Sequence, residues 1–202
     1  MERLRLAFVT GATPDKWARV WRERHPHIPI DLVPVEQAAQ RAVLDDGAAD
    51  MVLARLPVDL DRPRPLHCVR LYDEQQVVVA GREHLVAAAD PEGGVTLADL
   101  ADEQLVAPHP SGWRPDAEQL DWPSMSDKDA VEVVASGTGV VILPMSVARL
   151  HARKDVVSRP VTDLEPTQVA LIWLRDADSD VHQDFVGVAR GRRAGSGRGL
   201  SR

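Results

Sequence analysis

The sequence predicts an α/β protein of two lobes joined by two long crossing strands, and three observations carry that expectation. Residues 4–56 alternate strand, helix, strand, helix, strand, which favours a parallel sheet with right-handed crossovers. A second α/β block lies between two long strand-like runs, residues 67–80 and 168–175. The composition is 44% hydrophobic but only 4% aromatic, ordinary for a globular α/β chain.

In order, residues 4–9 alternate and then turn apolar as a first strand, and Thr10-Gly11-Ala12-Thr13-Pro14 forms a loop with Pro at a helix start. Residues 15–24 form a helix in which Trp17, Val20 and Trp21 share a face that must be buried against the sheet or against another subunit. Pro26 stops it. A second strand spans residues 28–35, a second helix residues 36–46 ended by Gly47, and a third strand residues 51–56 before Pro57. The run over 67–80 is interrupted by Asp73-Glu74-Gln75-Gln76, as expected where a strand passes from one lobe to the next. A short helix at 97–100 and a strand at 105–107 precede a Pro-rich loop, residues 109–124.

Ser126 caps a helix over 127–135, with Asp129 in capping-box spacing. The glycines of VEVVASGTGVVILP follow a helix and precede a strand, so they end the helix rather than cradle a phosphate. Gly137 suits a left-handed helix stop, and Gly139 a tight turn into the strand at 140–143. A helical turn at 145–151, a strand at 156–160, the return crossing at 168–175 and a helix at 181–189 complete the fold. Residues 1–72 and 170–190 are assigned to the first lobe, 73–169 to the second, and 191–202 to a disordered basic tail.

With 24 Lys plus Arg against 31 Asp plus Glu, the net charge is -7, which disfavours direct DNA binding by the folded body. Five arginines and no acid lie from Gly187 onward, and without those five charges the net is -12. The tail is solvated or touches nucleic acid electrostatically. No signal-peptide pattern or long apolar span is present, so a cytoplasmic, non-membrane protein is expected. Cys68, the one cysteine, reads as an inert strand residue. No nucleophile elbow or metal-ligand spacing appears, so neither enzyme activity nor a metal or other cofactor is expected.

Two α/β halves joined by two crossing strands are the architecture of the type 2 periplasmic-binding-protein fold. The stretches LRLAFV, WARVWRERHPHIPIDLVPV, LDDGAADMVLARLP, LYDEQQVVVAGREHLVAA, VTLADLADEQLVAP, VASGTGVVILPMSVARL and VALIWLRD with DFVGVAR occur in an order and spacing that resemble the effector-binding domain of LysR-type transcriptional regulators. The resemblance implies an inter-lobe cleft for a small effector, hinge closure, and signalling to a transcription-regulatory partner. It also implies a homodimer or a hetero-assembly with a regulator through the first helix, here Trp17, Val20, Trp21 and Arg24. The chain begins at the first strand without the family's winged helix-turn-helix, so no DNA reader is expected. Residues 107–127 are shorter and richer in Pro and Trp than the family pattern, which implies a shortened second lobe.

Ligands of open α/β lobes settle at the C-terminal ends of parallel strands. Thr10, Gly11 and Thr13 are therefore candidates to hold a carboxylate, or Thr10 and Thr13 merely cap the helix. Arg55 pairs with a ligand carboxylate or with an acid such as Asp59. Ser111, Ser126, Asp127 and Thr138 are candidates from the second lobe, each with an alternative role in a turn or cap. Competing readings are an interaction protein with a vestigial cleft, and nucleic-acid association by the tail.

Overall fold

The structure is a computed structural model and describes residues 3–191. The expectation of a disordered tail falls, except for Gly191, outside the described residues. The chain divides into two compact units, one comprising Met1–Asp73 with Gln168–Arg202, the other Glu74–Thr167.

The first unit is built on a five-stranded sheet of β1 (Leu4–Val9), β2 (Ile30–Val35), β3 (Met51–Arg55), β4 (Leu66–Glu74) and β8 (Thr167–Leu174), in the order β2-β1-β3-β8-β4. β1 pairs in parallel with β2 and β3, as the alternation predicts, whereas β8 runs antiparallel to β3. Both faces are covered, so the strands bury side chains on alternate sides with period 2. Met51, Leu53, Leu171 and Trp173 enter one core, and Val52, Ala54, Ile172 and Leu174 the other. The first core is closed by α1 (Asp15–Arg24) and α5 (Asp180–Ala189), which supplies Phe185.

Helix α1 settles one alternative left by the sequence. Trp21 is 0% exposed, its Nε1 donates to the Ile28 carbonyl at 2.9 Å, and its ring packs edge-on against Phe185. It belongs to its own unit's core, so its inclusion in a dimer face is corrected. Trp17 and Val20 are half-buried against that core, and Arg24 is exposed.

The helix expected over 36–46 is also corrected. A 3-10 turn, Gln37–Ala39, is followed by only one α turn, α2 (Ala42–Asp45). The break falls at Gln40, whose carboxamide turns inward to bond the backbone of Arg55. Gly47 follows α2 with φ +66, as a helix-stopping glycine should.

The second unit carries an antiparallel sheet of β5 (Gln76–Gly81), β6 (Val140–Pro144) and β7 (Val156–Pro160), in the order β6-β5-β7. The expected strand at 105–107 is reduced to a single bridge, Leu105 with Val140, because Pro108 cuts the pairing short. Trp122 packs with the cluster on one face of this sheet and Trp113 with the cluster on the other, anchoring the irregular segment they share. α3 (Asp127–Ala135) and α4 (Met145–Leu150) cover the Trp122 side. Ser126 caps α3 by accepting the Asp129 amide at 3.2 Å. The long run of 67–80 is two strands, β4 and β5, with the break at Gln75.

Gly137 and Gly139 both have positive φ, +88 and +70, but their surroundings differ. A Cβ on Gly137 meets open space, whereas one on Gly139 collides with the Gln104 carbonyl. Gly139→Ala is expected to cost more than about 2 kcal/mol and Gly137→Ala about 1 kcal/mol, a difference that denaturant titration of the two variants will read. No helix among the described residues is long and apolar enough to cross a membrane.

Candidate effector site

In the first unit the C-terminal ends of the parallel strands converge. β1 runs into the loop Thr10–Pro14, where Gly11 takes φ +85 and the Thr10 amide donates to the Val35 carbonyl at 3.2 Å. Arg55, at the end of β3, is 1% exposed, and its Nη1 donates to the Thr10 carbonyl at 2.7 Å. Gln40 fixes Arg55 in turn: its Nε2 donates to the Arg55 carbonyl and its Oε1 accepts the Arg55 amide, each at 2.9 Å. This three-residue arrangement sets the loop's course from below.

Asp59, the acid named as an alternative partner for Arg55, is held by its own loop. Oδ1 of Asp59 accepts the backbone amides of Asp61 and Arg62, which hold its carboxyl below the usual range. The capping alternative for the threonines is not realised among the described residues, where α1 has Pro14 at its N-cap and no side-chain cap. Thr10 is half-buried and Thr13 exposed, and both precede the first turn of α1, whose amides favour an anion. Asp15 in that turn carries competing negative charge.

The second-unit candidates do not form one constellation. Ser126 and Asp127 open α3, whereas Thr138 follows its far end, about 15 Å away at 1.5 Å per residue. One small ligand cannot bridge both ends of that helix, so grouping Thr138 with Ser126 is corrected. Thr138 Oγ1 lies 3.2 Å from Ser136 Oγ. Ser111 is exposed and acts as a turn residue, accepting the Trp113 amide at 3.2 Å and meeting His109 Nδ1 at 2.8 Å.

Sequence reasoning passed over Gln40 because a lone glutamine in an expected helix carries no signal. Its role depends on Arg55, fifteen positions on. It also passed over His182 in α5, which is 0% exposed, stacks on Trp173 at 6.0 Å and meets the Ser179 hydroxyl at 2.8 Å.

Burial pushes the His182 pKa below 6.5, with His67 acting in the same direction and the Asp50 carbonyl and the carboxylates of Asp178 and Asp50 partly opposing it. Burial lowers His109 likewise. Such histidines bind protons more readily unfolded, so their contribution is fully present above pH 6.5 and is lost as pH falls from there through the folded values. Melting temperature is expected to fall across that window, and His182→Phe, which keeps a ring on Trp173, to flatten the slope.

Cys68, on β4, is half-buried, and burial pushes its thiol up. That keeps it protonated and unreactive near neutrality.

The first unit is a mixed sheet whose parallel strands end at a loop before a helix start, the second is a smaller α/β unit, and effector-binding domains share this fold. The LysR substrate binding domain family matches residues 1–194, and the chain belongs to that family. Its members are regulatory sensors of small effectors that act in transcription regulation.

Solved structures share the fold. The effector-binding domain of a BenM variant aligns with TM-score 0.74 at 20% identity, covering 95% of this chain and 94% of that one. The BenM effector-binding domain with its effector benzoate aligns with TM-score 0.73 at 20% identity over 94% and 90%. The Corynebacterium glutamicum OxyR C206 mutant aligns with TM-score 0.71 at 19% identity, covering 94% of this chain and 63% of that longer one. No curated protein matches the chain.

Proposed function

We propose that this chain is the sensing part of a transcription-regulatory system, binding a small anionic effector at the Thr10–Thr13 loop and passing a conformational change to a regulatory partner. The observation that carries the reading is the loop itself: Arg55, fixed in turn by Gln40, holds the Thr10 carbonyl, and α1 has no side-chain cap among the described residues. A carboxylate there gains hydroxyl donors and the amides of α1. The BenM neighbour was solved with benzoate, a carboxylate, which supports the ligand class. Binding requires no turnover. The chain passes between units at Asp73–Glu74 and Thr167–Gln168, and these two connections are where a hinge would act. Ser126 and Asp127 remain candidates for contact from the second unit. Assembly into a dimer would use the outward part of α1, with Trp17, Val20 and Arg24.

A thermal-shift panel of small carboxylates tests the proposal. A carboxylate at a hundred times its dissociation constant adds about 2.7 kcal/mol of stability. That raises the melting temperature by roughly 5–10 °C for a chain of this size. Thr10→Val removes the gain if the loop is the site. A flat response across the panel, or an unchanged response in Thr10→Val, defeats the reading.

A further inference from the structure

The second unit contains a cavity of about 680 Å³. That is within the range of small-molecule sites. It is separate from the Thr10 loop, being lined only by residues of the second unit. Four pieces of chain meet there: the end of β5 with the turn that follows it, Glu103, the C-terminal end of α3, and the two residues before β7.

Its charges are arranged with both signs exposed to a ligand. Asp155 is already engaged by Arg153 from outside the cavity, through two hydrogen bonds of 2.9 Å. Glu103 meets His84 Nε2 at 3.0 Å, and the Val86 amide donates to His84 Nδ1 at 3.2 Å. That second bond places the ring proton on Nε2, so His84 donates to one Glu103 oxygen and leaves the other able to accept. Arg82 and Lys154 are exposed; Arg82 attracts the Asp155 carboxylate without a close ion pair, and Lys154 forms no ion pair among the described residues. The C-terminal end of α3 adds partial negative charge on the Glu103 side of the balance.

The apolar features complete the chemistry. Leu85 is 84% exposed, the highest value among the exposed large hydrophobic residues described. The absence of a side chain at Gly137 leaves open space beside Ala135 and Ser136. A simple anion would face Glu83 and Glu103, and a simple cation would face Arg82 and Lys154. A ligand bearing both charges and an apolar body meets neither conflict.

We propose that this cavity is a second small-molecule site and that it takes an apolar α-amino acid as its zwitterion. The ammonium group pairs with Glu103 near the end of α3, the carboxylate with Arg82 and Lys154, and the side chain covers Leu85. Removing either ligand charge forfeits a charge-assisted hydrogen bond, worth about tenfold in affinity.

The test is a titration of ¹⁵N-labelled full chain with L-phenylalanine, 3-phenylpropionate and phenethylamine, the last two lacking the ammonium and the carboxylate respectively. Phenylalanine is expected to shift the amides of Gly81, Arg82, Leu85, Ser136 and Gly137 saturably. Each single-charge analogue should bind about tenfold more weakly. Glu103→Gln keeps an acceptor for His84 and so keeps the fold, while Lys154→Met alters an exposed side chain; each should also cost about tenfold. Thr10→Val should leave this binding unchanged, which separates the second site from the first. Shifts absent from these amides, an analogue binding as tightly as phenylalanine, full affinity in both cavity variants, or loss in Thr10→Val would each overturn the proposal.

Discussion

Trp21→Ala is expected to destabilise the first unit by about 3–5 kcal/mol, the range for truncating a fully buried large aromatic side chain. At about 2–4 °C per kcal/mol for a chain of this length, the melting temperature should fall by more than roughly 6 °C. Three contacts go at once: the Nε1 hydrogen bond to the Ile28 carbonyl at 2.9 Å, the stack on His25 with centroids 4.1 Å apart, and the edge contact with Phe185. The Ile28 bond ties α1 to the chain entering β2, so its loss also loosens that connection. Trp17→Ala is the informative comparison, because Trp17 is only half-buried on the same helix. It should cost less than half as much in melting temperature. Sedimentation of Trp17→Ala against the wild type tests the proposed use of α1 in assembly separately from its role in folding. Equal melting losses for the two variants would contradict the division of labour on this helix.

Arg55→Ala is expected to cost about 3 kcal/mol and to abolish the stabilisation given by any carboxylate that raises the wild-type melting temperature. Two physical effects add. A buried carbonyl that loses its charged donor costs about 1–3 kcal/mol. The aliphatic stem of a side chain that is 1% exposed also leaves a gap in the core. Because Nη1 holds the Thr10 carbonyl, the loop should lose its set course even where the unit still folds. Arg55→Lys keeps the charge and most of the stem but has no planar fork, so it should recover more stability than effector response. Calorimetry on the three proteins with and without the carboxylate separates the two quantities. Full effector response in Arg55→Ala would remove the loop's support from the mechanism.

Much of the architecture is legible in single stretches of sequence. LRLAFV, MVLAR and QVALIWL announce strands by alternation or unbroken apolar runs, and Asp127–Ala135 announces a helix by its cap and spacing. The parallel pairing of β1 with its neighbours follows from the strand-helix-strand order. The segment 36–46 misleads for a definite reason. Its helical spacing is real, but Gln40 is drawn out of register by a backbone partner in β3, and no local pattern encodes that pull. Trp21 misleads in the opposite way: the spacing of Trp17, Val20 and Trp21 finds the apolar face correctly and leaves open what covers it.

The candidate site was legible as a place rather than as a set of contacts. Thr10, Gly11, Thr13 and Arg55 are all in one neighbourhood, as strand-end geometry expects, but Arg55 turns out to support the loop through its carbonyl. Ser126 and Thr138 looked comparable in sequence and lie at opposite ends of α3.

The sequence by itself determined most of the strands and helices and the helix-ending glycines, because these depend on periodicity and turn chemistry within about ten residues, while the family rested on a resemblance in the order and spacing of stretches along the whole chain. Only the tertiary structure decided that Trp21 is core, that Gln40 and Arg55 brace the loop after β1, and that a mixed-charge cavity forms around Glu103 and Lys154. Each of those depends on groups far apart in the chain meeting at hydrogen-bond or packing distance, and a linear pattern carries no record of which distant groups will meet.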